Sequence, residues 1–277
     1  NKLRKIAYVG GELCGSEDFI RWDGLAFGYD GEHMIRGDIS MRDMRTSPYL
    51  KASLDELHIH MVRLQDILSR LKGQPMSLPK ELLRLGDVRY LGRVEGYVHD
   101  LRLDGALSTD MGRVVTKASL QSDSAFEHFE YDVQLEAQHV KLGRLMDNPA
   151  LGTATLALQT KGELEKDDLR GDVNIVVEEF TYNGYAYQNM SIEGSYAPRL
   201  YDAHLLIKDE RLDIRLDGQL DMRSSLMATM DIRCEQFDSY PLFSSDADGS
   251  HARMRFNAST EIAGKDADDV SGSLVVD

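Results

Sequence analysis

The sequence predicts a mainly β protein, built as an elongated, curved antiparallel β-sheet with a hydrophobic inner face and a few short helices. The first observation is the alternation of apolar and polar residues from Leu212 to Met222, which fails only at Gly218. Alternate side chains of a strand point to opposite faces, so this pattern predicts a sheet with one apolar and one polar side. The second observation is that segments with helical spacing are scarce, which leaves too few helices to cover the apolar side.

The predicted strands follow one another along the chain. The alternation recurs in further segments at residues 35–41, 101–107, 114–120, 131–138, 154–164, 190–196 and 252–258. Turns are predicted at Tyr29-Asp30-Gly31, Asp104-Gly105 and Tyr182-Asn183-Gly184, where glycine and small polar residues interrupt the pattern. Because consecutive strands joined by short turns usually pair antiparallel, the sheet is predicted to be a meander.

Two helices are predicted from apolar residues at helical spacing. The first covers residues 62–71, with leucine and isoleucine side chains on one face, and the second covers residues 142–146, where Asn148 and Pro149 end it. Such short helices cannot cover the apolar side of a dozen strands. That side must therefore be covered by a second sheet, by the sheet curling on itself, or by a ligand.

An internal repeat divides the chain into three predicted units. Apolar positions 57, 59 and 62 match 135, 137 and 140 at a shift of 78, and these match 232, 234 and 237 at a shift of 97. Each copy is a strand whose apolar alternation shifts by one residue before the chain enters a capping turn or helix. We therefore predict a first β-groove unit with a short helix at residues 1–75, a second at 76–150 and a third at 151–277. The chain begins at Asn1 and stops inside an apparent strand, so we expect a segment of a longer protein whose third unit is cut short.

Composition excludes several classes of protein. The formal net charge is −15, whereas a nucleic-acid binder needs a basic face to neutralise phosphates, so no nucleic-acid partner is expected. A hydrophobic fraction of 42% suffices for a folded core. No apolar run approaches the roughly 18–20 residues that span a bilayer.

The search for catalytic and metal-binding motifs predicts no enzyme, no cofactor and no metal site. Phosphate-binding loops, nucleophile elbows, zinc-protease helices and paired Cys-x-x-Cys motifs are absent from the sequence. His58 and His60 share a strand face, but a zinc site needs about two further ligands. Residues 244–249 resemble the start of a calcium loop, yet the acidic twelfth position would fall on Arg255. The two cysteines do not make a disulfide framework, and Cys234 is predicted to be a small buried hydrophobe.

Two groups of residues carry a functional interpretation beside a structural one. The tyrosines at 182, 185 and 187 could stack on a sugar ring, although cross-strand packing beside a turn is favoured. The apolar row that includes Leu212, Ile214 and Leu216 could be the core of a β-sandwich or a surface that holds lipid. The residues alone leave both possibilities open.

Spaced motifs across residues 10–245 resemble the middle region of TamB-like proteins. They are residues 92–101 (Gly-Arg-Val-Glu-Gly-Tyr-Val-His-Asp-Leu), 107–112 (Leu-Ser-Thr-Asp-Met-Gly), 180–190 (Phe-Thr-Tyr-Asn-Gly-Tyr-Ala-Tyr-Gln-Asn-Met) and 208–210 (Lys-Asp-Glu). This family belongs to the AsmA-like, bridge-type envelope proteins of Gram-negative bacteria, and the sequence is most similar to its Bacteroidetes members.

The resemblance implies a non-enzymatic segment of a periplasmic, inner-membrane-anchored protein whose anchor lies elsewhere. Its β-taco, a hydrophobic groove, would shield phospholipid acyl chains and support lipid transport to the outer membrane. It would also support protein assembly there with a TamA- or BamA-type barrel partner. The residues expected to line the groove are Leu101, Leu103, Val133, Leu135, Leu156, Leu158, Ile192, Leu212, Ile214, Leu216, Leu220, Met222, Met230, Ile232, Met254 and Phe256. The alternative function is a β-sandwich adhesin or carbohydrate-binding module. A parallel β-helix enzyme would need a rung period of roughly 20–25 residues, which the repeat lacks.

Overall fold

The computed structural model describes residues 7–29, 33–72, 75, 77–78, 80–166, 168–238, 253–266 and 269–277. Within these residues the chain forms one open antiparallel sheet of 16 strands, together with three short helices. The strands lie in the sheet in the order in which they occur along the chain. The predicted mainly β class, the antiparallel meander and the scarcity of helix are therefore confirmed.

The strands have the following bounds. The first eight are β1 (Ala7–Gly15), β2 (Phe19–Tyr29), β3 (His33–Arg42), β4 (Tyr49–His60), β5 (Asp87–Tyr97), β6 (Asp100–Thr109), β7 (Gly112–Ser122) and β8 (His128–Lys141). The last eight are β9 (Leu151–Glu165), β10 (Asp168–Tyr182), β11 (Tyr185–Ala197), β12 (Leu200–Lys208), β13 (Leu212–Asp221), β14 (Leu226–Asp238), β15 (Arg253–Asp266) and β16 (Asp269–Val276). Every segment predicted to be a strand from its alternation falls within one of these strands, apart from a residue or so at its ends.

The helices are α1 (Met61–Lys72), α2 (Lys80–Arg84) and α3 (Leu142–Met146). The predicted helices at 62–71 and 142–146 correspond to α1 and α3, whereas α2 was not predicted. The α3 helix ends because Asp147 adopts a left-handed conformation at φ 57°, and the Asn148 N–H then bonds to the Gly143 carbonyl at 2.9 Å. None of the helices in the described part of the chain is long and apolar enough to span a bilayer.

The chain divides into two compact units. The N-terminal unit comprises Asn1–Phe126 and Leu135–Asn148, and the C-terminal unit comprises Glu127–Gln134 and Pro149–Asp277. This division follows contacts between residues and does not test the repeat, so the three predicted units stay a prediction.

The predicted turn at Tyr182-Asn183-Gly184 is confirmed. It is a two-residue hairpin between β10 and β11, in which Tyr182 pairs with Tyr185. Asn183 and Gly184 have φ values of 46° and 79°, the left-handed conformations that such a hairpin requires.

The predicted turn at Asp104-Gly105 is wrong, because both residues lie inside β6. Gly105 is opposite Gly92 of β5, and the Tyr90 ring covers both glycines. A Cβ atom on Gly105 would lie 2.6 Å from the Tyr90 ring carbon Cε2. The glycine therefore makes room for an aromatic ring and does not bend the chain. The predicted turn at Tyr29-Asp30-Gly31 falls partly outside the described residues.

The one-residue shift predicted in the repeat has a counterpart in the second and third copies, whereas in the first copy the register of β4 with β5 shifts earlier, between Leu54 and Leu57. In β14 the register with β15 shifts between Cys234 and Phe237. In β8, His139 has a φ of 49° between the matching positions Ala137 and Val140. Strand β8 then leads directly into α3, as β4 leads into α1. The element after β14 lies outside the described residues.

Candidate apolar binding face

The apolar residues of the C-terminal unit form continuous rows across its strands. Residues directly opposite one another in an antiparallel pair share a face of the sheet. The first row runs from β9 to β15 and consists of Leu158, Ile175, Ile192, Leu205, Leu216, Ile232 and Ala258. The second row lies beside it and consists of Leu156, Val177, Met190, Ile207, Ile214, Cys234 and Phe256. We call the surface that these rows share the apolar face.

The middle of the apolar face is only partly buried. In the first row Ala258 alone is buried, and the six larger aliphatic side chains keep part of their surface accessible. A closed β-sandwich would bury such central residues completely. In the described part of the chain there is one sheet and no second sheet, so the sandwich interpretation of this row is not supported.

One end of the apolar face is tightly packed, and we call it the buried end. Tyr187, Ile207 and Leu212 form a cluster with residual exposures of 4, 7 and 7%. Cys234 lies opposite Ile214 and is 1% exposed, which confirms the prediction that it is a small buried hydrophobe. Burial raises the pKa of its thiol.

The tyrosine cluster belongs to the buried end. The Tyr185 and Tyr187 rings meet edge to face at 4.7 Å between centroids, so they share a face of the sheet. The Tyr185 hydroxyl donates to Asp209 at 2.7 Å, and the Arg211 guanidinium lies 5.2 Å from the Tyr185 ring centre. Burial, followed by the hydrogen bond to Asp209, raises the pKa of Tyr185 to about 12. Since Tyr187 is buried within the cluster, these rings pack against the chain and do not form an outward sugar platform.

The other end of the apolar face is less tightly packed, and we call it the open end. Its large side chains include Tyr201, which is 46% exposed, and Ile262, which is 36% exposed. A depression of about 320 Å³ lies among them, and its lining includes Leu220 and Met230. Its smallest lining residues are Ala203, Gly218 and Ala228.

The alternation in β13 fails at Gly218, which occupies a position on the apolar face. It lies between Ala203 of β12 and Met230 of β14. A Cβ atom there would lie 3.5 Å from the Leu216 Cδ2 atom and 3.7 Å from the nearest backbone oxygen, which are ordinary contact distances. Neither sterics nor the backbone therefore requires glycine at this position. Its effect is that no side chain occupies this position at the open end of the apolar face.

A polar cluster interrupts the apolar face at β8–β11. The hydroxyls of Tyr131 and Tyr196 contact each other, and Thr160 Oγ1 lies 2.7 Å from the Tyr196 hydroxyl. The Tyr131 hydroxyl donates to the Arg170 carbonyl at 3.2 Å. Burial, followed by the contact with Tyr196, raises the pKa of Tyr131 to about 12. These side chains fill the space above Gly162 and Gly171, so this part of the face is closed by the protein itself.

The structure brings most of the predicted lining residues together. Nine of the sixteen lie in the two rows or at the open end, namely Leu156, Leu158, Ile192, Ile214, Leu216, Leu220, Met230, Ile232 and Phe256. Leu212 and Met254 are linked through Phe237, which is opposite both, and Met222 follows the end of β13.

The remaining predicted residues lie on strands β6 and β8. In the N-terminal unit Leu103 is opposite Val94 and Ala118, and Leu101 is opposite Leu120. Val133 and Leu135 are partly buried on β8, but they fall in different units.

Sequence reasoning missed the residues that shape the open end. Tyr201 and Ala203 lie in β12, where the alternation is irregular, and Ala228 and Ile262 are not among the predicted lining residues. The signal that would have found them is the pairing of small residues across β12, β13 and β14, which appears only once the register is known.

The two histidines that share a strand face, His58 and His60, have other neighbours in the structure. The His58 Nε2 atom lies 3.4 Å from an Asp87 carboxylate oxygen, and the His60 Nδ1 atom accepts a hydrogen bond from the Val62 N–H at 3.3 Å. No group of three histidine, cysteine, aspartate or glutamate side chains suitable for a metal occurs in the part of the chain that the structure describes. The calcium-like segment at 244–249 lies outside it.

Comparison with known proteins identifies no relative, so a function has to be inferred from the geometry of the apolar face. No family model, no curated protein and no solved structure matches this chain. The resemblance to TamB-like proteins therefore stays a prediction, carried by the residues quoted for it.

Proposed function

We propose that this chain is a non-enzymatic segment of a TamB-like or AsmA-like envelope protein, and that its apolar face shields the acyl chains of phospholipids. The single observation that carries the proposal is the partly exposed apolar face of the C-terminal unit, with its depression at the open end. Contiguous accessible apolar surface on a protein commonly marks a place where a ligand or partner binds.

The chemistry of the surface favours a hydrocarbon ligand. The large side chains of the two rows are almost entirely aliphatic, and charged residues occupy the opposite face of the same strands. Each methylene removed from water contributes about 0.8 kcal/mol, so about ten methylenes contribute about 8 kcal/mol before the cost of ordering the ligand. This free energy is spread over many contacts, so no single side chain dominates binding.

The cellular setting belongs to the same proposal. The segment would act in the periplasm, within a protein anchored in the inner membrane, and support phospholipid transport to the outer membrane. A TamA- or BamA-type outer-membrane barrel would be the protein partner, reached through the full-length chain. The resemblance of residues 92–101 and 180–190 to TamB-like proteins supports this setting.

Native mass spectrometry of the chain purified from a Gram-negative host tests the proposal. We expect phospholipid to be released from the protein as it is activated in the gas phase. Repeated recovery of ligand-free protein, together with no uptake of a fluorescent fatty acid, would contradict the proposal.

A pair of variants on neighbouring positions supplies the control. Leu216 lies in the first row of the apolar face, and Arg215 points to the opposite side of β13. Leu216→Asp places a carboxylate where the acyl chain would lie, so bound phospholipid should be lost. Arg215→Asp should leave it unchanged.

A further inference from the structure

A hollow lies on the polar side of β8–β11, within the C-terminal unit. Its volume is about 490 Å³, which falls within the range of about 300–1,000 Å³ typical of sites for small ligands. Gln159, Asn174 and Glu193 follow one another across three strands in direct register. These positions alternate with the residues of the apolar face, so the hollow opens on the opposite side of the sheet.

The hollow contains both hydrogen-bond donors and acceptors. Three carboxylates belong to its lining, those of Asp132, Asp172 and Glu193. Three amide side chains and one ammonium group accompany them, those of Gln134, Gln159, Asn174 and Lys161. Amides both donate and accept hydrogen bonds, carboxylates accept and ammonium groups donate.

All seven side chains are exposed to solvent, and Glu193 also lies directly opposite His204 of β12. Within the described residues none of the seven makes a side-chain hydrogen bond or an ion pair. Nearby polar residues on the same side of the sheet are paired: His204 lies 2.6 Å from Asp217 and 3.1 Å from Asp202. The hydrogen-bonding groups of the hollow are therefore accessible to a ligand.

The balance of charges selects among ligands. Three carboxylates would repel an anion. A purely cationic ligand would not accept hydrogen bonds, and it would leave Lys161 and the amide N–H groups without partners. A metal ion is not favoured, because the described residues hold no suitable group of three ligands. Vicinal hydroxyl groups both donate and accept, and so they match the mixed lining.

We propose that this hollow binds a neutral saccharide, with Gln159, Asn174 and Glu193 as the central contacts. The inference goes beyond lipid shielding and is independent of it, because the two sites lie on opposite sides of the sheet. The saccharide has two possible sources, a free sugar or a unit of a longer glycan, and their shared chemistry is a ring with neighbouring hydroxyl groups.

The test is a titration of the full chain, followed by NMR, with glucose, N-acetylglucosamine and a soluble tetramer of N-acetylglucosamine. We expect saturable binding of at least one of these sugars. Tighter binding of the tetramer than of both single sugars would identify a glycan as the source, and equal binding would identify a free sugar.

Variants locate the binding to the hollow. Asn174→Ala and Glu193→Ala each remove a hydrogen-bonding group, so each should weaken binding about threefold to tenfold. Asn257→Ala is the matched control, because Asn257 is an exposed residue of β15 that does not belong to the lining. Its binding should equal that of the unmodified chain.

Three results would overturn the proposal. They are no saturable binding of any of the sugars, binding that both Asn174→Ala and Glu193→Ala leave unchanged, and binding of spermidine in place of the sugars. Thermal melts of the variants are measured alongside, and an unchanged melt assigns a loss of binding to the removed contact.

Discussion

The two ends of the apolar face differ in packing although they lie on the same strands. At the buried end, Tyr187, Ile207 and Leu212 are almost fully covered, and the register break in β14 adds Phe237 to the cluster. At the open end, Ala203, Gly218 and Ala228 occupy the corresponding inward positions, and the depression remains between larger side chains.

The comparison shows that the alternation determines which side chains lie on the apolar face, whereas the volume of those side chains determines whether the face is covered. Aromatic rings and an extra residue in the strand fill the buried end. Small residues on three neighbouring strands leave the open end accessible. We therefore expect the buried end to determine stability and the open end to determine ligand binding.

The largest effect is expected at the buried end. Leu212→Asp places a carboxylate among Tyr187, Ile207 and Phe237, where water cannot reach it, at a cost of several kcal/mol. We expect loss of the cooperative thermal melt, measured by circular dichroism. A variant that melts like the unmodified chain would show that this end is not a core.

A smaller loss of stability is expected from the same kind of change at the open end. Leu220→Asp puts the charge beside the depression, where water can solvate it, so the chain should still fold cooperatively. Bound phospholipid should nevertheless be lost, as measured by mass spectrometry. Met227→Asp is the control, because Met227 is a 55% exposed apolar residue on the opposite side of the sheet. If Leu220→Asp unfolds the chain as fully as Leu212→Asp does, the two ends do not differ as we describe.

Filling the depression separates binding from stability. Gly218→Ala should stabilise the chain by about 0.5–1 kcal/mol, because glycine in a strand interior loses more conformational entropy on folding than alanine. Gly218→Leu should reduce phospholipid binding without lowering the melting temperature. Denaturant unfolding and lipid quantification check the two outcomes, and unchanged lipid binding in Gly218→Leu would exclude the depression as the site.

The smallest effect is expected on the polar side of the same strands. The hydrogen bond to Asp217, followed by the charge of Asp202, raises the pKa of His204 above its usual 6.5. Its contribution to stability is complete below the unfolded pKa and is lost as the pH rises through the higher folded value. An NMR titration should give a raised pKa for His204, and Asp217→Asn should lower it. An identical pKa in both proteins would remove Asp217 as the cause.

Much of the fold can be predicted from the sequence because alternation is a local property of each strand. The strand around Leu212–Met222 and the hairpin at Asn183-Gly184 follow from neighbouring residues alone. The wrongly predicted turn at Asp104-Gly105 has a non-local cause, the Tyr90 ring from the neighbouring strand β5. The depression was not predictable for the same reason, since its small residues come from three strands whose register depends on the whole sheet.

The central claim is that an acyl chain lies on the apolar face at the open end. Photo-crosslinking of the chain expressed in a Gram-negative host tests it most directly, with benzoylphenylalanine placed either at Met230, which points into the depression, or at Asp231, which points to the opposite side. We predict phospholipid adducts from position 230 and none from position 231. Equal labelling at both positions, or no lipid adduct at 230 in folded protein, would contradict the account.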